Sequence, residues 1–419
     1  MKILNVIGSV DRRGGGTTDH VFSCSLLWAR RGHECHILCL DPPNAPCVSR
    51  SPVTTFALGD QGRFYNFVRR FIPPLRYGFT PNLKKWLQAH GESYDAIILN
   101  GLWNYTSYGT WRAIRKLRVP YYVCPHGMLD PWLKKAQPFD HFLRKIFWIF
   151  FERKVLRDAR AIFFACEEER RLASQEFLPN MRSGYVVAYG AQDIVGDPKR
   201  QKDAFLARFP QTQGRKMILF LSRIHPKKGL DLLIEAFSRQ AHIFPDFDLL
   251  IVGPDDVGLT PRLVKLATEL GVADRVHWIG MLDGDEKWGA FRIAEFFVLP
   301  SHQENFGIAV AEAMALSVPV LITNKVNIWR EVQSSGAGRV VTDESDGIAE
   351  GLGYMCGLSE SNRQVLASNA RSCFLEQFNL EKNATELLNV MITLGKKTKE
   401  LLPPQTSRLE SGAAGVRDR

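Results

Sequence analysis

No apolar run in this chain of 419 residues is long enough to cross a membrane. The longest in the middle, Ile146 to Phe151, stops at Glu152, and the opening MKILNVIGSV is too short for a secretory leader and reads as a first strand. The eight cysteines include no C-x-x-C pair, so neither a disulfide frame nor a zinc site is indicated. Several sit in apolar runs, as buried thiols of a reducing compartment do. There is no internal repeat and no recognition module for nucleic acid. What remains is a soluble or peripheral protein, expected in the cytoplasm, of ordinary globular composition: 45% hydrophobic and 23% charged.

That length exceeds what one core usually supports, so two domains are expected. Short apolar runs alternate with helical stretches throughout. In the first half, strands are read at Lys2 to Ile7, His33 to Leu40, Tyr94 to Leu99, Pro120 to Cys124, Ala161 to Ala165 and Tyr185 to Ala188. The second half repeats the design, with strands near Met217, Phe247, Val276, Phe296 and Val318. Such alternation predicts an α/β protein: two tandem Rossmann-like, doubly wound domains facing across a cleft. The expected division is 1–193, 194–378, a C-terminal helix over 379–395 packing back on the first domain, and a disordered tail over 396–419, with a linker near 193–202.

The most informative stretch is Glu295 to Thr323, EFFVLPSHQENFGIAVAEAMALSVPVLIT. A buried strand closes at Pro300, a polar loop follows, and an alanine-rich helix opens at Gly307 before the next buried strand. The free N–H groups and positive dipole end of that helix form an anion site. Glu304 and Glu312 flank it. In isolation they read as a cap and a solvated helix residue; between two strands, beside Phe306 and Gly307, they read as ligand contacts. A second anion site follows the strand at Met217 to Leu221. There Arg223 and Lys228, in SRIHPKKGLD, stand where such sheets bind phosphate. Lys227 reads as solvated; His20, His33 and His225 read as loop or surface residues. Asp283-Gly284-Asp285 spells D-x-D, a metal-binding spacing elsewhere, but here it precedes a helix and reads as a cap.

The pair SRIHPKKGLD and VLPSHQENFGIAVAEAMALSVPVLIT resembles the retaining GT-B glycosyltransferases of family 4, as do the N-terminal GGGTTDHVFSCSLLWARRGHEC and the segment YVVAYGAQD. The resemblance implies a hexosyltransferase acting on a nucleotide-diphosphate sugar with no metal and no cofactor. Arg223 and Lys228 would hold the diphosphate, Glu304 the hydroxyls of the transferred sugar, Phe306 and Gly307 sugar and phosphate through backbone N–H groups, and Glu312 the ribose. Gly15 and Gly16 would let the first-domain loop close on the donor, Gly280 and Met281 would border the base, and His126 would lie beside the sugar. His126 and Glu304 are thus the catalytic candidates. Two departures stand out: Ser317 where glycine is usual after the helix, and Tyr189 where asparagine is common before Gly190. A nucleotide-sugar epimerase and a non-catalytic nucleotide-sugar-binding subunit are the alternatives.

Charge bears on the acceptor. Between Gln61 and Arg160 there are eighteen Lys or Arg against six Asp or Glu, while the whole chain carries +10. Arg69, Arg70, Arg76, Lys84, Lys85, Lys134, Lys135, Arg144 and Lys145 are interleaved with Phe64, Phe67, Phe71, Trp132, Phe142, Phe147 and Trp148. The pattern suggests a first domain resting on an anionic membrane surface and a glycan or polyprenyl-linked acceptor; a solvated basic face over a buried aromatic core is the plainer reading.

Overall fold

The computed structural model describes residues 1–12, 15–59, 77–131, 144–177 and 184–401. Two parallel sheets organise them. The first has seven strands in the order β3-β2-β1-β4-β5-β6-β7: β1 Lys2–Ile7, β2 Glu34–Cys39, β3 Thr55–Ala57, β4 Ala96–Asn100, β5 Tyr121–Cys124, β6 Ala161–Phe164 and β7 Gly184–Val186. The second has six in the order β10-β9-β8-β11-β12-β13: β8 Lys216–Leu221, β9 Phe247–Val252, β10 Val276–Gly280, β11 Ala294–Leu299, β12 Val320–Thr323 and β13 Gly338–Val341. The central strands are apolar on both faces because helices cover both, which is what a parallel sheet requires; all six residues of β9 are buried. Strand order reverses between β1 and β4 and again between β8 and β11. Crevices open at the C-terminal ends of strands at such points.

Five helices bear on the site: α1 Gly16–Arg30, α2 Glu167–Glu176, α3 Gly284–Arg292, α4 Ile308–Ala315 and α5 Leu380–Leu401. After the second sheet the chain returns to the first. Leu380, Ala384, Leu387, Leu388 and Met391 of α5 pack among Ile3, Trp28, Tyr122 and Phe163. The Trp28 indole N–H donates to the Ala384 carbonyl at 2.8 Å, and the Tyr122 hydroxyl to the Met391 carbonyl at 3.1 Å. The crossing is a narrow seam: the N–H of Ala191 donates to the Phe378 carbonyl and that of Leu380 to the Ala191 carbonyl, both at 3.0 Å. A Cβ on Gly190 would lie 2.5 Å from the Leu380 backbone, so only glycine fits there.

Several expectations need correcting. β3 and β13 were not read from the sequence; both are short edge strands, half-exposed, and carry little apolar signal. The segment read as a linker is helical from Pro198 and packs on α3, where a Cβ at Gly289 would collide with the Gln201 carbonyl. α5 runs to Leu401, beyond the end read at residue 395. Asp283 holds the N-cap position of α3 but makes no side-chain cap hydrogen bond, and Asp285 pairs with Arg200 at 2.9 Å. All eight cysteines are free and seven are buried. Arg69, Arg70, Arg76, Lys134, Lys135 and the aromatics Phe64, Phe67, Phe71, Trp132 and Phe142 lie outside the described residues.

Candidate active site

Between the lobes lies a cleft of ≈ 660 Å³. Gly15, Gly16, His126, Arg223, Lys228, Glu304, Phe306, Gly307 and Glu312 all line it. Gly280 and Met281 are not among its lining residues, and the Met281 side chain is 72% exposed.

On the C-terminal side, close backbone approach builds the site. Gly229 adopts φ 66°, and a Cβ there would sit 2.2 Å from the Pro300 carbonyl. Glycine therefore lets the basic turn after β8 lie against the end of β11, where the His302 N–H donates to the Lys227 carbonyl at 2.8 Å. That contact brings the Lys228 ammonium into an ion pair with the Glu304 carboxylate. The main chain of Glu304 is held in turn: its N–H donates to the Lys325 carbonyl at 2.9 Å and its carbonyl accepts from Asn327 at 3.0 Å. Gly307, at φ 77°, starts α4 with no side chain capping it, and Gly307, Ile308 and Ala309 face the cleft. The helix end thus offers N–H groups and its dipole to an incoming anion.

A second ion pair stands deeper. Lys287, on α3, donates to Glu312 at 2.7 Å. Burial raises the Glu312 carboxyl above its ordinary value, with Lys287 opposing. Nothing in the sequence flagged Lys287, because it comes from another helix and joins the site only through the fold. Burial first, and then the cations Arg223, Lys227 and Lys228, hold the His225 imidazole below its usual range. His225 is a loop residue whose ring accepts from the Lys227 N–H at 3.1 Å. Lys227 is half-buried rather than fully solvated, and its ammonium is lowered mainly by burial.

The N-terminal side carries Arg12 and Asp19, both exposed, and neutral groups around His126. His126 sits in the turn after β5 at φ 54°, an unusual conformation for a side-chain-bearing residue. Its Nε2 lies 3.0 Å from Asn100 Oδ1, and its Nδ1 meets the Tyr189 hydroxyl. Both ring nitrogens are thus spent on protein partners, and the ring borders the cleft. His20, read as a loop or surface residue, is on α1 inside the cleft and stacks on Tyr189 with ring centroids 3.9 Å apart. Burial lowers its imidazole to about 4. The Glu169 carboxylate braces the turn, accepting from the Ala165 N–H at 2.6 Å and from the Gly127 N–H. A Cβ on Gly127 would strike the Asn305 side chain at 2.6 Å, so this glycine lets the two lobes meet.

Among the described residues no group of three His, Cys, Asp or Glu side chains stands together as a metal cage, and no helix is long and apolar enough to cross a membrane.

A family model described as "Glycosyl transferase 4-like domain" matches residues 15–186, and one described as "Glycosyl transferases group 1" matches residues 201–373. Between them they account for most of the chain. The D-inositol 3-phosphate glycosyltransferase of Mycolicibacterium gilvum (strain PYR-GCK) is 27% identical over 350 residues, covering 81% of this chain and 76% of that protein. That of Gordonia bronchialis is 25% identical over 392 residues, covering 90% and 83%. Among solved structures, sucrose-phosphate synthase from Thermosynechococcus elongatus superposes with a TM-score of 0.74 at 19% identity, covering 94% of this chain and 99% of that one. Anabaena HepE in complex with UDP and glucose gives a TM-score of 0.73 at 18% identity, covering 94% and 100%. At those identities the structural likeness is one of fold, which is GT-B; the two family models carry the assignment. The chain belongs to the group 1 glycosyltransferases, with a family 4-type N-terminal domain, and it is a glycosyltransferase.

Proposed function

We propose that the protein is a retaining glycosyltransferase that moves a hexosyl unit from a nucleotide-diphosphate sugar to a saccharide or lipid-linked saccharide acceptor in polysaccharide biosynthesis. The observation that carries the reading is the convergence of Arg223, Lys228 and the uncapped start of α4 on one crevice, with Glu304 and Glu312 beside them. A nucleoside diphosphate is a poor leaving group until its charge is met. Two fixed cations and a helix end meet it without reorganisation, which is where electrostatic catalysis gains most. Glu304 accepts from hydroxyls of the sugar being transferred, and Glu312 from the ribose. The solved complexes of HepE with UDP and with UDP-glucose support a nucleotide-sugar donor for this fold.

Glu304 is tied to Lys228 and Glu312 to Lys287, so neither is set up as the covalent nucleophile of a double displacement. Transfer on the front face fits better. The acceptor oxygen attacks the anomeric carbon from the side the diphosphate is leaving, and the departing phosphate oxygen takes the acceptor's proton. Fixed cations serve where other transferases use a divalent ion. The sugar lies against His126 and Tyr189, and the acceptor enters from the first lobe.

The basic first lobe supports an acceptor presented at an anionic membrane surface. Ile146, Ile149 and Phe150 are exposed beside Lys145 and Arg153, a pairing of apolar and cationic side chains that suits an interface. Incubation with GDP-, UDP- and dTDP-sugars in turn, with a saccharide acceptor, tests the whole reading. Acceptor-dependent nucleotide release from one donor class is expected, with loss of at least about a hundredfold in Glu304→Gln. Formation of an epimer without nucleotide release overturns it.

A further inference from the structure

The polar groups behind the sugar end of the cleft form one chain of hydrogen bonds with a single polarity. Asn5, on β1, donates its amide to Ser25 Oγ at 3.1 Å. Its own Oδ1 accepts from Asn100 Nδ2 at 3.1 Å, at the end of β4. Asn100 Nδ2 also donates to the Ile98 carbonyl at 3.4 Å, which can only accept; that fixes Asn100 Oδ1 toward His126 Nε2, and an oxygen that can only accept requires Nε2 to carry the hydrogen. Nδ1 is then an acceptor, and the group facing it is the Tyr189 hydroxyl. Ser25, Asn5 and Asn100 are buried, and His126 and Tyr189 keep only a small exposed edge on the cleft.

Tyr189 is unlike the other members because it belongs to the seam between lobes. Its carbonyl accepts from Asn383 Nδ2, on the returning helix α5, at 3.0 Å. Its ring stacks on His20 from the first lobe and lies 5.7 Å from Phe306 of the second. We infer that Tyr189 is a positioning residue: from the crossing between lobes, its hydroxyl holds His126 as the neutral Nε2–H tautomer and fixes the wall against which the transferred sugar is oriented. This rests on the proposed donor reaction for its kinetic half and on the fold alone for the tautomer. Burial, and then the neighbouring His20, keep His126 well below the normal imidazole range, in keeping with a ring that stays neutral.

Two measurements on the full chain test the inference. In protein labelled with 15N histidine at pH 7, the His126 signals, assigned by their loss in His126→Gln, should show a protonated Nε2 and a hydrogen-bonded, unprotonated Nδ1. In Tyr189→Phe, which keeps the ring and its stacking, the Nδ1 signal should move toward that of a free acceptor nitrogen. In the transfer assay the same variant should lose roughly tenfold in kcat, the scale of one buried hydrogen bond, with the donor KM within about twofold. A protonated Nδ1 in the wild type overturns the tautomer. An unaltered kcat, or a change confined to KM, overturns the positioning role, since the tyrosine would then be inert or a plain donor contact. If the wild type releases nucleotide from no donor, the proposed function fails while the nitrogen signals still decide the relay.

Discussion

The two lobes furnish the cleft by opposite means. The C-terminal wall is built from charges: the Lys228–Glu304 and Lys287–Glu312 pairs, Arg223, and the bare start of α4. Around His126 the N-terminal wall is built from neutral groups: Asn100, His126 and Tyr189 are joined by hydrogen bonds, and His20 stacks on Tyr189. The contrast suits the reaction. A leaving diphosphate needs stationary positive charge, whereas the uncharged sugar needs shape and orientation, and a cation beside its anomeric carbon would oppose the oxocarbenium that develops there. Removing charge from one wall should therefore cost far more than removing one hydrogen bond from the other. Lys228→Ala is the sharpest break: kcat/KM for the donor should fall by about a hundredfold or more, as when one preorganised donor to a developing anion is lost. Steady-state nucleotide release checks it. A fall no larger than the tenfold expected of Tyr189→Phe would mean the walls do not divide the work this way.

Two buried carboxyls, one in each lobe, should respond to pH with opposite sign. Glu152, in the first lobe, is fully buried. Its Oε1 accepts from Ser107 Oγ at 2.6 Å, from the Tyr77 hydroxyl at 3.3 Å and from the N–H of Trp103, itself at φ 65°, at 3.0 Å, while Oε2 has no hydrogen-bond partner among the described residues. Burial raises this carboxyl to about 7, and burial likewise raises Glu169 to about 7. A carboxyl whose folded value lies above its unfolded one binds more protons when folded. The stability it contributes is present at pH 5 and is lost as pH rises through 7. In the second lobe Asp248 is also pulled up by burial, but His277, Arg215 and Arg275 outweigh that and hold it well below the carboxylate range. Its contribution is present at neutral pH and is lost only as pH falls below about 4. Hydrogen exchange followed around each carboxyl should show the surroundings of Glu152 loosening between pH 5 and 8, by something on the order of 1–3 kcal/mol, while those of Asp248 hold. Glu152→Gln should flatten that dependence. The two surroundings moving together, with the variant tracking wild type, would contradict it.

How far this was legible from residues alone follows the same division. The charged wall is legible in the sequence, since Arg223, Lys228, Glu304 and Gly307 lie in strand-to-helix loops and Glu312 in the helix that follows one, where spacing alone places them near a sheet edge. The neutral wall is not. His20 is one helical residue among many, Asn5 and Asn100 sit inside apolar strands, and Glu152 and Glu169 are ordinary acids in basic or acidic helices. Only tertiary packing buries them and turns them on one another, and no local pattern carries that information. Lys287 escaped for the same reason from the other lobe. The strands most clearly apolar, β1, β9 and β11, were found close to their true bounds, whereas β3 and β13, pairing on one side only, were not.

The smallest expected effect concerns the far end of α4, where sequence and structure agree on an imperfection. The helix closes in a Schellman motif: the Ser317 N–H donates to the Met314 carbonyl at 3.1 Å and the Val318 N–H to the Ala313 carbonyl at 2.9 Å. This geometry places Ser317 at φ 59°, in the left-handed region that glycine fills without cost. The serine is exposed and no hydrogen bond to its hydroxyl is seen among the described residues, so nothing offsets the strain. Ser317→Gly should relieve up to about 1 kcal/mol, reduced by the greater freedom glycine has when unfolded, for a rise of roughly 1–3 °C in the second-lobe transition. Ser317→Ala, which keeps the Cβ, should give no such gain. Because the position faces away from the cleft, transfer kinetics should be the same in both variants. A lower midpoint in Ser317→Gly would show that the serine side chain stabilises the turn more than its backbone strains it.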